Sequence, residues 1–364
     1  GPLKLRKDLI KEPLCQSVVE REPDLYKLPI CTHNELDRGP FITAGVQVVW
    51  DPERQTYGIG MHRMHVIDST HLSCLAPIER RVGKPYYEAA KHNRSIDIAI
   101  LVGASPAELI ASQAKISFED DKYAVVRQLI GDKPLSMAMC KSNGLIVPHD
   151  TEYVIEGHTM PNELFDDTPF AEYTGVSSLR SDAWVVKVDC ITHRYGAVWQ
   201  TLLTGMPPQE DSNLCAIPIS SYAYEDARAI GVDAKDVSVF LGNNVFDVVI
   251  SITKTSNSEV HNLIHRLLGN NYIKTVMVVD ADIDPNDQNQ VRFAFNTRFQ
   301  PDRDTVITGL MHGASLGPSS PLFRSTSKMG YDCTVPISPD PETNIYNVRR
   351  HAKVRVPGSE SVSW

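Results

Sequence analysis

The chain has 364 residues, of which 42% are apolar and 22% are charged, and it carries a formal net charge of −9. These values fit a globular protein and exclude collagen-like, low-complexity and wholly disordered chains, and the acidic balance argues against a nucleic-acid partner. No run approaches the ~18 apolar residues that cross a bilayer, and the first residues lack the apolar core of a secretion signal. We therefore expect a cytoplasmic protein without a membrane partner.

Seven cysteines are scattered singly along the chain, with no CxxC pair and an odd total. This spacing predicts reduced thiols and argues against a disulfide framework or a zinc ribbon. We expect most of these cysteines to be small core residues.

The first half of the chain alternates short β-rich runs with Gly/Pro turns. Residues 46–50 and 184–191 read as strands, and Val186, Val188 and Cys190 share one face of the second. Residues 106–115 read as an inserted helix. This order favours a mostly antiparallel barrel with added helices over a strict series of βαβ units.

The pattern changes after the Pro207-Pro208 pair. Strands and helices then alternate, with strands predicted at residues 237–241, 245–253 and 272–279 and helices at residues 258–268 and 289–295. This alternation predicts a small α/β domain, so we divide the chain into domains 1–215 and 216–364. The Pro-rich segment after Thr334 is expected to run over a surface or across a subunit interface.

Two motifs resemble metal sites, but each lacks an essential residue. The acids of residues 280–284 alternate as in a calcium loop, yet Pro285 stands where that loop needs glycine. His261 and His265 are four residues apart, but no glutamate follows the first histidine as in zinc peptidases. We therefore predict no metal site here. Neither a phosphate-binding glycine loop nor a GxSxG nucleophile motif is present.

Three charged residues stand in apolar surroundings. Arg63 lies in a segment suited to a buried strand, so its guanidinium needs a carboxylate partner from the protein or from a substrate. Asp167 and Glu172 lie in a segment that Pro169 and Gly175 make an ordered loop. Two carboxylates around one arginine allow one acid to stay ionised while the other carries a proton. A structural salt bridge is the alternative.

Several segments together resemble the UbiD family of decarboxylases. Residues 146–157, IVPHDTEYVIEG, are similar to its VPA-x-AE-x-V-x-EG signature, and residues 167–175, DTPFAEYTG, are similar to its EGPFGEYTG loop. Further similar segments are residues 24–30, 39–45, 51–52, 278–284, 300–304 and 327–334. The likeness covers nearly all of residues 13–334 in the family's order.

This resemblance implies an α+β fold with a split β-barrel, of the flavin-reductase type, and a C-terminal α/β domain with dimer contacts. It implies a prenylated-FMN-dependent decarboxylase, or reversible carboxylase, of an aromatic, heteroaromatic or α,β-unsaturated acid. The family's catalytic network corresponds to Arg63, which orients the substrate carboxylate, Glu172, which protonates the carbon, and Asp167, which holds Arg63. The implied cofactor-binding residues are Gly58, Ile59, Gly60, Met61, His62, Arg63, Glu79, Lys122 and Lys328.

The resemblance also carries departures. The family holds a divalent metal, usually manganese, with Asn, His and Glu, and these positions are Gly58, Glu79 and Lys122 here. A small insertion would move the third match to residues 119–121. Manganese is therefore doubtful, and our hypothesis is that Lys122, paired with Glu79, replaces it at the flavin phosphate. A decayed cofactor site is the alternative.

Partners follow from the same comparison. Family members carry about a hundred further residues before the segment at Asp24. These residues are missing here, so either they are dispensable or a second chain supplies them. We expect a homodimer or larger homo-oligomer, a small carboxylic acid as substrate and a flavin prenyltransferase as cofactor supplier. The alternatives are a non-catalytic subunit of a larger assembly and a flavin-site protein with another reaction.

Overall fold

The computed structural model describes residues 9–131, 133–178, 181–239, 245–314, 316–320 and 325–354, except the side chain of Tyr346. The chain divides into two compact units, Gly1–Pro218 and Ile219–Trp364. The division falls at Pro218, inside the helix Glu210–Ala229, whereas the sequence pattern set the domain boundary after residue 215.

The first unit is built mainly from strands, with three short helices between them. Its described strands are β1 (Val18–Glu20), β2 (Phe41–Ile42), β3 (Val46–Asp51), β4 (Thr56–Met61), β5 (Met64–His65), β6 (His71–Cys74), β7 (Asp97–Val102), β8 (Met137–Met139), β9 (Ile146–Pro148), β10 (Tyr153–Phe165) and β11 (Ala183–His193). Its helices are α1 (Gly83–Ala90), α2 (Pro106–Gln113) and α3 (Lys122–Leu129).

Seven of these strands form one antiparallel sheet. The order is β1-β11-β10-β7-β3-β4, and β6 pairs with β11 beside this path. The alternation predicted for β11 is confirmed, since Val186, Val188 and Cys190 are all buried. Among the described strands this sheet does not close into a barrel, so the split-barrel detail is not confirmed.

The second unit contains a five-stranded mixed sheet with helices in its connections. Its strands are β12 (Asp233–Val239), β13 (Asp247–Thr253), β14 (Thr275–Asp280), β15 (Thr305–His312) and β16 (Ser325–Cys333), in the order β12-β13-β14-β16-β15. The pairs β13–β14 and β14–β16 are parallel, and β12 and β15 are antiparallel edge strands. The predicted α/β character is confirmed, although residues 240 and 241 of the first predicted strand lie outside the described residues.

Four described helices are associated with this sheet, and only the second and third of them were predicted. They are α4 (Glu210–Ala229, shared with the first unit), α5 (Asn257–Leu268), α6 (Gln288–Arg298) and α7 (Pro341–His351). The stripe Val260, Leu263, Ile264 and Leu267 of α5 is fully buried, as its 3.6-residue spacing predicts. Sequence analysis missed α7, whose start is marked by Asp340, which accepts a hydrogen bond from the Thr343 amide.

All seven cysteines are free thiols, as predicted, and five of them are buried. In the part of the chain that the structure describes, no helix is long and apolar enough to cross a membrane.

Candidate functional site

Residues 166–178, which follow β10, form a turn held by backbone hydrogen bonds, as Pro169 and Gly175 predict. The Glu172 amide donates to the Val176 carbonyl at 3.0 Å, and the Gly175 amide donates to the Glu172 carbonyl at 2.9 Å. Gly175 has a φ of +81°, a conformation that L side chains rarely adopt, so glycine is required at this turn. The turn fixes Glu172 at one point of the loop.

Two residues from the segment before β2 hold the same loop from outside. Asp37 accepts hydrogen bonds from the amides of Ala171, at 2.9 Å, and Asn34, at 3.0 Å. The Arg38 amide donates to the Pro169 carbonyl at 2.9 Å. Sequence analysis missed both residues, because one charged pair in a polar segment carries no signal of a partner more than 130 positions away.

Arg63, Asp167 and Glu172 meet inside the first unit, and all three are buried. Arg63 follows β4, and its Nε and Nη2 donate to Asp167 Oδ2 and Oδ1 at 3.1 and 2.7 Å, a bidentate pair. Its Nη1 donates to Glu172 Oε1. The structure therefore brings together the three residues that the sequence singled out.

Serine hydroxyls complete the coordination of Arg63. Nη1 also donates to Ser178 Oγ at 3.2 Å, and Nη2 donates to Ser181 Oγ at 3.0 Å. Ser181 in turn donates to Asp167, as does Ser73. All five N–H donors of the guanidinium are thus engaged, so a substrate carboxylate must displace one of these acceptors. The serines were missed, since serine is too common in loops to mark a site.

Aromatic rings cover this charge network. The Arg63 guanidinium lies 4.9 Å from the centroid of the Phe170 ring, and the Phe170 and Phe41 rings are 4.6 Å apart. Both rings are buried. They lower the local dielectric, which strengthens the ion pairs and penalises any carboxylate that lacks a full charge partner.

Burial raises the pKa of the Glu172 carboxyl to about 7. The Arg63 charge lowers this pKa, but the negative charges of Asp167 and Asp211 raise it again. Burial acts against the Arg63 cation too, but the Asp167 hydrogen bond and the two carboxylates hold its pKa above the ordinary value. The site therefore contains a permanent cation beside an acid that gains and loses a proton near neutral pH.

The strand β4 carries four of the predicted cofactor-binding residues. The Ile59 side chain is buried in the core, and Met61 packs against that core. Gly58 and Gly60 lie under the loop before α1. A Cβ atom at Gly58 would come within 2.8 Å of the Arg81 carbonyl oxygen. Position 58 therefore has no room for a metal-binding side chain while this loop keeps its place.

Lys122 begins α3 and is buried, with 3% of its surface exposed. Its Nζ donates to the carbonyls of Ala111, at 2.8 Å, Ser112, at 3.2 Å, and Ala114. These are carbonyls at the C-terminal end of α2, so Lys122 acts as a side-chain cap there. Its three N–H donors are used, and direct contact with a phosphate, which we predicted, would require an exchange. Glu79 is exposed in the loop before α1.

Lys328 lies in β16 of the second unit and is also buried. Its Nζ donates to the carbonyls of Leu268, at 2.8 Å, and Asn270, at 2.6 Å, and burial lowers its pKa to about 8. It thus caps α5, much as Lys122 caps α2. Its approach to a flavin stays a prediction.

His62 stands at the end of β4 among basic side chains. Burial lowers the pKa of its imidazole to about 3, with the charges of Arg80, Lys122 and Lys115 acting in the same direction. The imidazole is therefore neutral at physiological pH. An anionic group fits these basic surroundings, whereas a divalent cation would add to the repulsion.

The described residues contain no group of three or more His, Cys, Asp or Glu side chains placed to hold a metal ion. In the second unit, Asp280 and Asp282 form ion pairs with Arg298, with nitrogen–oxygen distances of 2.7 and 2.8 Å, respectively. This pairing fits the sequence interpretation of these acids as a strand end.

Family comparisons cover both units. Residues 8–207 match the Rift-related domain of 3-octaprenyl-4-hydroxybenzoate carboxy-lyase, UbiD, and residues 212–333 match the C-terminal domain of the same family.

Three relatives illustrate the likeness. The anhydromevalonate phosphate decarboxylase of Methanocaldococcus jannaschii is 31% identical over 92% of this chain and 77% of its own. The phenolic acid decarboxylase of Sedimentibacter hydroxybenzoicus is 28% identical over 90% and 70%. The structure of HmfF from Pelotomaculum thermopropionicum with FMN has a TM-score of 0.89 and 28% identity over 99% and 82%. An evolved dimeric form of HmfF, solved with prenylated FMN, has a TM-score of 0.84 and 27% identity over 99% and 81%.

Proposed function

Because this chain belongs to the UbiD family of carboxy-lyases and is a decarboxylase, we propose that it removes carbon dioxide from an unsaturated or aromatic carboxylic acid with the help of prenylated FMN. The reverse carboxylation is part of the same proposal. The observation that carries it is the buried group of Arg63 with two carboxylates, of which Glu172 has a pKa near 7.

Arg63 binds the substrate carboxylate in this proposal. Asp167 keeps two guanidinium N–H groups in a fixed plane, and Nη1 is the donor shared with Glu172 and Ser178. When a substrate carboxylate accepts from Nη1, it replaces Glu172 as counter-ion. Glu172 then takes up a proton, because its pKa rises further once the Arg63 charge is shared.

Glu172 supplies the proton that the reaction consumes. The bond between the carboxylate carbon and its neighbour breaks, carbon dioxide leaves, and Glu172 donates its proton to the carbon that keeps the electron pair. The prenylated flavin supplies the electron sink for that pair when it is bound. The buried rings of Phe41 and Phe170 keep water away from the Glu172 carboxyl that carries this proton. A carboxyl with a pKa near the working pH suits both halves of this exchange.

Three finer points belong to the proposal. The names of two relatives, an anhydromevalonate phosphate decarboxylase and a phenolic acid decarboxylase, support the substrate class. The evolved dimeric form of HmfF supports an oligomer of this chain. The split barrel and a flavin prenyltransferase as cofactor supplier are likewise proposed from the resemblance.

The test is a panel of carboxylic acids incubated with flavin-loaded protein in deuterated buffer. We expect at least one acid to lose carbon dioxide or its product to exchange hydrogen for deuterium at the same carbon. Glu172→Gln should lower both rates about 100-fold or more, while Glu163→Gln, an exposed change in β10, leaves them unchanged. Equal rates in Glu172→Gln and the parent would overturn the assignment of the proton donor.

A further inference from the structure

Two serine hydroxyls contact the Arg63 guanidinium, and they are bonded in different ways. Ser178 Oγ accepts a hydrogen bond from Nη1 at 3.2 Å, and Ser181 Oγ accepts one from Nη2 at 3.0 Å. Both serines come after Glu172 in the chain, whereas Arg63 follows β4. Their hydroxyl protons go to different acceptors, so the two serines have different effects on the charges around Arg63.

Ser181 lies on the Asp167 side of the guanidinium. Its hydroxyl donates to Asp167 Oδ1, the same oxygen that accepts from Nη2 at 2.7 Å. Asp167 Oδ2 accepts from Nε at 3.1 Å and from Ser73 Oγ at 3.4 Å. Ser181 therefore closes a ring of hydrogen bonds around an ion pair that is already bidentate. Loss of its hydroxyl leaves both Arg63–Asp167 bonds in place.

Ser178 lies on the Glu172 side of the guanidinium. Nη1 has two N–H groups, and they are divided between the Glu172 carboxylate and the neutral Ser178 Oγ. The Ser178 hydroxyl donates to the Phe170 carbonyl at 3.2 Å, so its proton is not available to Glu172. Ser178 Oγ is thus an acceptor for Nη1 whose position does not depend on the protonation of Glu172.

The backbone holds Ser178 in place independently of its side chain. The Ser178 amide donates to the Phe170 carbonyl at 2.9 Å. The residues just inside this pair, Ala171 and Ser177, form an antiparallel bridge. These contacts use backbone atoms alone, so removal of the Ser178 hydroxyl leaves the turn around Glu172 intact.

Glu172 faces charged groups from three parts of the first unit. Arg63, after β4, lowers the pKa of its carboxyl, while Asp167, in the same turn, and Asp211, in the first turn of α4, raise it together with burial. When Glu172 takes up a proton, Nη1 loses its anionic acceptor. A buried guanidinium N–H without an acceptor costs free energy. Ser178 Oγ is the acceptor that remains.

We propose that Ser178 is a positioning residue, which holds Nη1 of Arg63 in place while Glu172 leaves the arginine and delivers its proton to the substrate carbon. This inference rests on the proposed decarboxylation and adds a residue to its site. Because Ser178 supports the guanidinium when Glu172 is neutral, it favours the protonated form of Glu172. Ser181 gives no such support, since its oxygen accepts from Nη2, which Asp167 already binds.

The first test measures the Glu172 proton without flavin or substrate. The full chain is labelled with ¹³C at its glutamate carboxyl groups, and the Glu172 resonance, identified by its loss in Glu172→Gln, is followed from about pH 5 to about pH 9. In Ser178→Ala the guanidinium depends more on the Glu172 anion, so we expect the midpoint of this titration to fall by about 0.5–1 pH unit. An unchanged midpoint in a folded Ser178→Ala would overturn the proposal.

Three further variants separate the Ser178 hydroxyl from its surroundings. Ser181→Ala removes the other hydroxyl and should move the midpoint by less than about 0.2 unit. Ser178→Thr keeps a hydroxyl and should retain the parent midpoint. Ser95→Ala, an exposed change before β7, is the control. Equal shifts in Ser178→Ala and Ser181→Ala, or in Ser178→Ala and Ser178→Thr, would overturn the assignment to the Ser178 hydroxyl.

The second test uses the flavin-loaded chain and an acid that it decarboxylates. The reaction needs protonated Glu172, so its rate falls as pH rises through the Glu172 midpoint, and in Ser178→Ala this fall should occur about 0.5–1 unit lower. The same pH profile in Ser178→Ala and the parent would reject the role of Ser178 and leave the reaction standing. A shifted ¹³C midpoint in a chain that decarboxylates no acid would reject the reaction and leave the contact of Ser178 with the Arg63 group standing.

Discussion

The Arg63 group and the two lysines Lys115 and Lys122 place buried charge in the same unit with opposite effects on pKa. At Arg63 one guanidinium meets two carboxylates, and burial, with the charge of Asp167 adding to it, raises the pKa of Glu172 to about 7. At Lys115 and Lys122, burial lowers the pKa values to about 6 and about 7, and the charge of Arg80 acts in the same direction on both. Burial favours the neutral form in both places, so it raises the pKa of an acid and lowers the pKa of a base.

Arg63→Met is the substitution with the largest expected effect. It removes the cation and leaves Asp167 and Glu172 buried side by side, so we expect a loss of about 3–5 kcal/mol in the free energy of unfolding and no decarboxylation. Urea denaturation measures the first effect. Arg94→Met, an exposed control, should change stability by less than about 0.5 kcal/mol. If Arg63→Met were as stable as the parent, the carboxylates would not depend on Arg63.

The pH dependence of stability tests the Glu172 proton. Its folded pKa, about 7, lies above the ordinary 4.5, so its contribution is present below pH 4.5 and is lost as pH rises to 7. Between pH 4.5 and pH 7 we expect the free energy of unfolding of the parent to fall by up to about 3 kcal/mol more than that of Glu172→Gln. Parallel stability curves for the two proteins would place the pKa of Glu172 near its ordinary value.

Asp37→Ala tests the loop that carries two of the three charges. The amides of Ala171 and Asn34 lose their acceptor, and we expect about 1–2 kcal/mol of lost stability with faster hydrogen exchange of the amides at residues 166–178. Asp37→Asn keeps an acceptor oxygen and should retain most of the protection, and the exposed Glu35→Ala should have no effect. Unchanged exchange in Asp37→Ala would show that the turn alone orders the loop.

Lys115→Met has the smallest expected effect. Unlike the other substitutions, it should raise the free energy of unfolding. Because the folded pKa of Lys115, about 6, lies below the ordinary 10.5, the protonated side chain destabilises the folded chain, and we expect the substitution to raise the free energy of unfolding by about 1 kcal/mol. Chemical denaturation at pH 6, with the exposed Lys91→Met as the control, measures it. A clear loss of stability would mean that the contacts of Lys115 outweigh the cost of burying its charge.

The sequence predicted the elements that depend on local pattern. The stripe of α5, the alternation of β11 and the ordered turn at Gly175 each follow from spacing or from one residue with special backbone freedom. The three charged residues of the Arg63 group could also be predicted, because a charged side chain in an apolar segment needs a partner.

The acceptors of individual hydrogen-bond donors could not be predicted from the sequence. Lys122 and Lys328 read as free cations suited to a phosphate, yet each donates to carbonyls at the end of a helix. Asp37 reads as an ordinary acid, and its partner at Ala171 is distant in sequence. Hydrogen-bond geometry between remote segments is set by packing of the whole unit, which no local pattern records. The connection across Thr334 to α7 was missed for lack of an apolar stripe.

The crowding at Gly58 limits which side chains this position accepts. Gly58→Asn would restore the ligand that the resemblance associates with manganese, but its Cβ collides with the Arg81 backbone and with Val49, 3.0 Å away. The ammonium of Lys122 would still repel the ion. Gly58→Asn alone therefore does not create a metal site at this position while the loop before α1 keeps its place.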